Sequence, residues 1–195
     1  KPINYSGKIF NLKNFTSLIK PQRNTIPIYL AAINQKMVDL TWSIGDGVIF
    51  YLRPIEEMKQ TISKMQAKKN IDVACQIITC VSEDSDNAIL RAKKTLAFYI
   101  SVGKIYREFL ENNGFKNETN NIFNEFKKSG FTSNHELVTN SMLDSLCISG
   151  TPEECKNKLQ NFIDAGIDLP IIQFNPVGDT LESFMLLKKT FLDEK

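Results

Sequence analysis

Apolar runs and amphipathic segments alternate along most of this chain. Residues 27–32, 47–51, 71–80 and 169–174 are short runs dominated by apolar side chains, which we interpret as buried strands. Each run is followed by a segment whose apolar residues recur every three or four positions, the spacing of one face of a helix. This order predicts an α/β fold of about four parallel βα units with right-handed crossovers.

The stretch from Pro27 to Tyr51 carries the clearest local pattern. Its first strand ends in Ala31 and Ala32, whose small side chains let the backbone approach another group closely. Asn34 is placed to cap the helix that follows, and Gly45 is placed to end it in a left-handed conformation. The predicted buried stripe of this helix consists of Met37, Leu40, Thr41 and Ile44.

The junction between this strand and this helix is a candidate anion site. It consists of Ala31, Ala32, Ile33, Asn34 and Gln35. Backbone N–H groups without helical partners and the positive end of the helix dipole meet at such a junction, as a phosphate group requires. We therefore predict that these five residues bind the phosphate of a ligand.

The remaining segments complete a single predicted domain of residues 1–195. Residues 1–26 are polar and irregular and predict a lead-in segment with a small hairpin or an extended strand. Residues 103–146 show only helical periodicity, so we expect an all-helical insertion before the last strand. Thr151, Pro152 and Glu154 form the pattern of a capping box, which indicates the start of a helix and carries no chemistry of its own.

The composition fits a soluble globular domain. Of the 195 residues, 42% are hydrophobic and 24% are charged, and the net charge is +2. The basic residues are scattered among acidic ones, so we expect no nucleic-acid partner. No apolar run approaches the ~20 residues that span a bilayer, and the first residues lack the pattern of a signal peptide. We expect a cytoplasmic protein without a membrane partner.

The four cysteines predict buried, inert thiols. Cys75 and Cys80 lie in one predicted strand and point to opposite faces, while Cys147 and Cys155 flank a turn. None belongs to a C-x-x-C pair, and His135 is the only histidine, so we expect no metal site. His135 follows two candidate cap residues, and we interpret it as a solvated residue at a helix end.

Three further side chains allow two interpretations each. Arg53, at the mouth of the second strand, either contacts an anionic ligand or is an ordinary solvated arginine. Asp46, between two glycines, fits a turn residue better than an acid catalyst. Trp42, the only tryptophan, lies off the predicted stripe of its helix, so it packs under a neighbouring element or marks a contact surface.

Four parallel strands are too few to close a barrel, which takes eight. The sheet is therefore open, or the chain forms half of a larger barrel. In either arrangement ligands bind at the C-terminal ends of the strands. Besides the turn of residues 31–35, that edge holds Leu52, Arg53, Ser82 and Asn175.

Short motifs along the chain allow comparison with a known family. They are Tyr5 to Gly7 with Leu12, Pro27 to Ala32, Lys36 with Met37, Gly45 to Gly47, Ala97 to Tyr99, Phe109 with Leu110, Gly114 with Phe115, Gly150 to Glu154 and Ala165 to Asp168. In this order they resemble the C-terminal half of the bacterial luciferase-like superfamily. The branch to which they are most similar is that of the deazaflavin-dependent methylenetetrahydromethanopterin reductases.

The resemblance implies a partial TIM barrel in which strands five to eight are present. It also implies that the turn after strand five, residues 31–35 here, holds a cofactor phosphate through backbone N–H groups. Many relatives have glycine and proline where this chain has Asn34 and Gln35. The implied activity is that of an oxidoreductase, with hydride transfer between the reduced deazaflavin coenzyme F420 and a one-carbon unit on a pterin.

Two alternatives remain beside this expectation. An FMN-dependent, monooxygenase-like enzyme would use the same turn for a different cofactor. A truncated half-barrel without catalytic activity would instead bind a partner chain. Strands one to four supply the acidic residues proposed for catalysis in the family, so no catalytic residue is assigned here. The expected partners are a small-molecule cofactor and substrate, together with further copies in a homo-oligomer or the missing N-terminal half.

Overall fold

A computed structural model describes residues 2–19 and 22–192; residues 1, 20 and 21 of the predicted lead-in segment and residues 193–195 lie outside the described part. The strands and helices within it follow one another in this order: β1 (Ile3–Ser6), β2 (Asn11–Phe15), β3 (Tyr29–Ala31), α1 (Gln35–Ile44), β4 (Gly47–Tyr51), α2 (Ile55–Gln66), β5 (Asp72–Val81), α3 (Ser85–Val102), α4 (Lys104–Leu110), α5 (Lys116–Ser129), α6 (Asn140–Leu146), β6 (Cys147–Gly150), α7 (Pro152–Asp164), β7 (Leu169–Phe174) and α8 (Thr180–Leu192).

The four predicted strands form one parallel sheet in the order β3, β4, β5, β7. Their predicted burial holds for most of β4 and β5 and is wrong for β3 and β7, which contain no buried residue because they lie at the edges of the sheet. β3 is shorter than predicted, because Ile28 is held by the turn before β4. The N–H of Ile28 donates to Asp46 Oδ2 at 2.8 Å, and its carbonyl accepts from the N–H of Asp46 at 2.9 Å. Within the described ranges the sheet does not close, which agrees with the predicted partial barrel. β1 and β2 form a separate antiparallel hairpin, one of the two forms predicted for the lead-in.

β6 is a fifth strand of the sheet, which the sequence pattern does not predict. It pairs with β5 over Ile78–Val81, whereas β4 pairs with β5 over Asp72–Gln76. β7 pairs with β5 over Ala74–Thr79, so it overlaps both and must occupy the other edge. β4 and β6 therefore follow one another along the same edge of β5. This arrangement fixes the end of the helical insertion to the sheet.

Helices cover the two faces of the sheet unequally. On one face Val73, Cys75 and Ile77 of β5 belong to a continuous core with α1, α2 and α7. On the other face Ile78 and Cys80 pack under α3 to α6, which cover only the C-terminal end of the strands. Because Cys75 and Cys80 lie in different clusters, their predicted opposite orientation is confirmed.

The part of the second face that these helices do not cover is called the open face below. It carries side chains from three neighbouring strands, each partly or substantially exposed: Ile49, Tyr51, Gln76, Ile171 and Gln173. In a complete (βα)8 barrel this face would line the interior.

The buried face of α1 differs from the predicted stripe. Thr41 is buried as expected, but Leu40 and Ile44 are 44% and 66% exposed. Val38 and Trp42 are buried in their place, because the indole stacks on the ring of Phe50 with 6.2 Å between centroids. Trp42 is thus a core residue. The prediction for Gly45 is also wrong, since its backbone is extended, with φ −84° and ψ 161°.

The insertion of residues 103–146 is helical, as predicted, apart from its turns. α4 and α5 are separated by a break at Asn113 and Gly114, where Gly114 has φ +98°, a conformation that glycine adopts without steric strain. A single short turn, Asn134–Leu137, precedes α6. None of the helices in the described ranges is both long and apolar enough to cross a membrane.

Candidate functional site

The turn between β3 and α1 lies at the C-terminal edge of the sheet, as predicted. Ala31 is exposed at the end of β3, while Ala32 is buried and its N–H donates to the carbonyl of Ile49 at 3.2 Å. This bond continues the β3–β4 ladder by one residue. The chain therefore leaves the sheet at Ile33, and the backbone of residues 33–36 faces away from the strand ladder.

The N-terminus of α1 presents unused backbone donors. Asn34 is the cap residue, with extended backbone at φ −87° and ψ 162°, and its Oδ1 accepts from the N–H of Met37 at 3.0 Å. The N–H groups of residues 33–36 have no hydrogen-bond partner in the part of the chain that the structure covers. The first turn contains no acidic side chain that would compete with a bound anion. Free donors at the positive end of a helix dipole fit a phosphate group.

Arg53 supports this turn and is not exposed at it. Its side chain is only 3% exposed, and Nη2 donates to the carbonyl of Ile33 at 2.5 Å. Nη1 donates to both carboxylate oxygens of Glu57, at 2.8 and 2.7 Å, and the guanidinium lies over the rings of Phe50 and Phe109. Burial lowers the pKa of Arg53, and Glu57 opposes that shift. The interpretation as a solvated arginine is therefore wrong, and both terminal nitrogens, Nη1 and Nη2, donate to protein groups.

A polar group on the open face lies at the same edge of the sheet. Gln76 Nε2 donates to Gln173 Oε1 at 3.0 Å, and Gln173 Nε2 donates to the hydroxyl of Tyr99 at 3.3 Å. Tyr51 stands edge-on to the rings of Tyr99 and Tyr106, with centroids 5.3 and 5.4 Å apart. These rings and amides form one continuous cluster on the open face.

The hydroxyl of Tyr51 is buried beside Tyr99 and Gln173, but no group among the described residues meets it at full hydrogen-bond geometry. Burial is the largest cause that raises its pKa, followed by the neighbouring Tyr99. The next residue, Leu52, has φ +49°, a left-handed conformation that is uncommon for leucine. Non-glycine residues in this conformation occur preferentially at ligand-binding sites.

Tyr51, Gln76 and Gln173 are not predicted from the sequence as site residues. A signal for the two glutamines is present, since each is a polar residue within an otherwise apolar strand. Their contact joins positions 97 residues apart, so it follows only from the strand order.

Most of the other residues that the sequence places at the sheet edge or in turns form hydrogen bonds within the fold. Asn175 is buried, and its Oδ1 accepts from the hydroxyl of Thr95 at 3.2 Å. The hydroxyl of Ser82 accepts from the N–H of Asp84, next to the start of α3. Asp46 lies at the opposite edge of the sheet and serves its turn, as predicted. His135 lies at the start of a short helix, as predicted, but it is only partly solvated, because the side chain is half-buried and its Nδ1 is buried.

All four cysteines are buried, as predicted, and none forms a disulfide. Burial raises the pKa of the Cys75, Cys80 and Cys155 thiols to about 12. It raises the pKa of Cys147 well above its ordinary value. Thiols in this state are poor nucleophiles, so they do not contribute to a catalytic site.

Comparison with known proteins places this geometry in a family. A family model described as luciferase-like monooxygenase matches residues 1–169 of the chain. The chain belongs to the luciferase-like monooxygenase family. The matched segment of this luciferase-like chain contains the β3–α1 turn, Arg53, Tyr51 and the helical insertion.

Curated relatives of this luciferase-like chain are reductases from archaea. A 5,10-methylenetetrahydromethanopterin reductase of Archaeoglobus fulgidus is 27% identical, over 98% of this chain and 60% of the relative. A protein of the same name from Methanolobus tindarius is 26% identical, over 83% of this chain and 52% of the relative. The chain thus spans about half to three fifths of the length of these relatives.

Solved structures agree on the fold. The coenzyme F420 dependent tetrahydromethanopterin reductase from Methanopyrus kandleri superposes with a TM-score of 0.78 at 22% identity, over 97% of this chain and 57% of the other. An F420-dependent secondary alcohol dehydrogenase, solved with an F420-acetone adduct, gives a TM-score of 0.63 at 18% identity, over 97% of this chain and 55% of the other. At these identities the match establishes the partial luciferase-like barrel.

Proposed function

We propose that this chain supplies the phosphate-binding half of a deazaflavin-dependent oxidoreductase. In this proposal the enzyme transfers hydride between reduced coenzyme F420 and a one-carbon unit on a pterin, as the names of the curated relatives suggest. When bound, the deazaflavin carries the hydride chemistry, and the protein binds and orients its ring. The observation that carries the proposal is the set of unpaired backbone N–H groups at residues 33–36.

The residues present fit such a cofactor at two points. The α1 N-terminus provides N–H donors and a favourable dipole for a phosphate, and no carboxylate in the first turn opposes it. The open face provides the rings of Tyr51 and Tyr106, against which a flat cofactor ring could pack. Arg53 is a positioning residue for the turn, because its Nη2 donates to the carbonyl of Ile33.

The rest of the site would come from another chain segment. The open face presents only one wall, since the sheet has free edges at β3 and β7 within the described ranges. We propose that a complementary set of βα units pairs with these edges, either as the N-terminal half of a longer protein or as a second copy of this chain. This pairing would enclose the ring pocket and exclude water from it.

The first experiment is an equilibrium titration of the chain with coenzyme F420 and, separately, with FMN, followed by the fluorescence of each ligand. We expect saturable binding of F420. The diagnostic variant is Asn34→Asp, because aspartate caps a helix as well as asparagine but places a negative charge at the anion site. It is expected to weaken binding by about tenfold or more, since repulsion replaces a favourable dipole.

The matched control is Thr139→Asp. Thr139 caps α6 through its side chain, as Asn34 caps α1, so the same charge is introduced at a helix start remote from the turn. Its binding is expected to equal that of the unaltered chain. Unchanged binding in Asn34→Asp, or no binding of either ligand by the folded chain, would contradict the proposed cofactor site. Saturable binding of FMN alone would favour the flavin-dependent alternative.

A further inference from the structure

A groove runs along α3 at the C-terminal ends of the strands. It lies next to β7, whereas the β3–α1 turn lies at the other side of the sheet. A cleft of about 370 Å³ lies between α3, the turn of Asn134–Leu137 and the C-terminal end of β7. A second cleft of about 400 Å³ shares Arg91 and Lys94 with it and continues to Pro176–Gly178. The two clefts adjoin at Arg91 and Lys94, and together they are called the α3 groove below.

The charge of the α3 groove is of one sign. Arg91 and Lys94 lie one helical turn apart, and neither cleft contains an aspartate or glutamate. Neither side chain makes a hydrogen bond or ion pair to any residue that the structure describes. A third cleft, lined by Glu56, Asp144 and Asp164, shows that this composition is not general to the surface. Two uncompensated cations in one groove favour an anionic ligand.

One end of the α3 groove is aromatic. The rings of Phe98 and Phe131 contact each other with centroids 5.5 Å apart, and the side chains are 45% and 50% exposed. His135 lines the same end, and its buried Nδ1 has no partner in the described part of the chain. Exposed rings beside an unmet polar atom fit a flat ligand that has both an apolar face and hydrogen-bonding groups.

The floor of the groove is fixed by buried polar side chains. Asn175 accepts from Thr95 and donates to the carbonyl of Gln173 at 2.8 Å. Asn134, which is 1% exposed, donates to the hydroxyl of Ser101 at 2.9 Å. These bonds join α3 to β7 and to the turn before α6. The groove therefore has preformed walls, as ligand sites generally do.

We propose that the α3 groove binds a flat heteroaromatic ring that carries an anionic substituent. The ring packs on Phe98 and Phe131, and the anion lies between Arg91 and Lys94. This inference rests on the proposed function and deepens it, since the ligand of this class would be the pterin substrate. The cofactor phosphate and the substrate anion then both bind at the C-terminal ends of the strands, the phosphate beside β3 and the substrate anion beside β7.

The test is a fluorescence titration of the chain with carboxypterin, a flat fluorescent ring with one carboxylate, and with uncharged pterin. We expect saturable binding of carboxypterin and weaker binding of pterin. The double variant Arg91→Gln/Lys94→Gln is expected to weaken carboxypterin binding by about tenfold or more, because charge-assisted contacts are lost. It should leave pterin binding unchanged, whereas Phe98→Ala should weaken the binding of both.

Lys59→Gln, in the acidic cleft, is the control and should not alter carboxypterin binding. The inference is overturned if the folded chain shows no saturable binding of carboxypterin, or if the double variant binds it as well as the unaltered chain does. Asn34→Asp separates the two proposals, because it should weaken the binding of the cofactor and leave the binding of carboxypterin unchanged. Carboxypterin binding without binding of F420 or FMN would refute the proposed function and retain the groove, and the reverse result would refute the groove alone.

Discussion

At the scale of single residues, Arg53 connects the stability of the fold to the shape of the anion site. Its guanidinium is buried between two rings and donates to Glu57, Thr61 and the carbonyl of Ile33. A planar fork with several donors is needed for this set of bonds, and lysine has only a compact ammonium group. The residue is therefore specified by geometry and not only by charge.

We predict that Arg53→Lys lowers the free energy of unfolding by about 2 kcal/mol, because hydrogen bonds to charged groups are lost inside the protein. Urea unfolding followed by the fluorescence of Trp42, the only tryptophan, measures this change. Arg23→Lys makes the same substitution at an exposed position and should stay within about 0.5 kcal/mol of the unaltered chain. An equally small effect at Arg53 would mean that the buried contacts do not stabilise the fold.

At the scale of elements, the start of α7 shows how one carboxylate connects two helices. The capping box predicted from the sequence is present, with Thr151 and Glu154 bonded reciprocally. Glu154 Oε2 also accepts from the hydroxyl of Ser85 at 2.8 Å, in the first turn of α3. The bonds from Thr151 and Ser85 favour the ionised carboxylate and lower the pKa of Glu154.

We predict that Glu154→Gln destabilises the chain at neutral pH but not at acidic pH. A pKa that is lower in the folded than in the unfolded state gives stability that is present above the unfolded value and lost as pH falls through the folded value. The difference in free energy of unfolding between the two proteins should therefore shrink as pH falls below the ordinary glutamate range. Urea titrations at several pH values measure it.

Glu153→Gln is the matched control, because Glu153 shares the first turn of α7 and its helix dipole but makes no bond to Thr151 or Ser85. Its effect should be smaller and should not follow the same pH dependence. A difference for Glu154→Gln that stays constant down to acidic pH would exclude the proposed linkage.

Elements differ in how far the sequence predicts them. Long apolar runs predict the bounds of β4, β5 and β7 closely, although only β5 is buried on both faces over most of its length. The face of α1 does not follow, because stripes starting at Met37 and at Val38 overlap and the contact of Trp42 with Phe50 decides between them. β6 has four residues directly after a helix, too few for a periodic signal.

At the scale of the whole molecule, the described residues leave the outer edges of β3 and β7 unpaired and expose apolar side chains beside them. Leu169 and Ile171 of β7 are 45% and 39% exposed, and Leu40 and Ile44 of α1 point to solvent. Unpaired strand edges beside apolar surface favour pairing with another chain. Leu40 and Ile44 belong to the predicted buried stripe of α1 but are exposed here. Contact with a neighbouring element would bury them.

We predict that the isolated chain self-associates, with a sedimentation coefficient that rises with concentration. Ile171→Lys places a charge on the open face and should shift the equilibrium toward the monomer. Leu181→Lys introduces the same charge at an exposed position of α8 and should leave association unchanged. A monomer at every concentration, in sedimentation velocity, would show that the edges need no partner.

The sequence predicts the part of the candidate site whose residues are adjacent along the chain, and it does not predict contacts between distant residues. The β3–α1 turn is local, so the order of strand, small residues and cap predicts it. The contact of Gln76 with Gln173 and the support of Ile33 by Arg53 depend on the strand order, which a single sequence does not state. His135 shows the same limit, because its neighbours Phe98 and Phe131 come from separate elements.

The pairing of β6 with β5 has a mechanical consequence for the insertion. Residues 103–146 follow α3, whose inner face is buried, and lead directly into a strand bonded to Ile78–Val81. Lifting this segment like a hinged lid would break that ladder and expose Cys147 and Ile148, which are fully buried. The insertion therefore acts as a fixed wall of the α3 groove, and its helices cannot swing away without loss of the β5–β6 pairing.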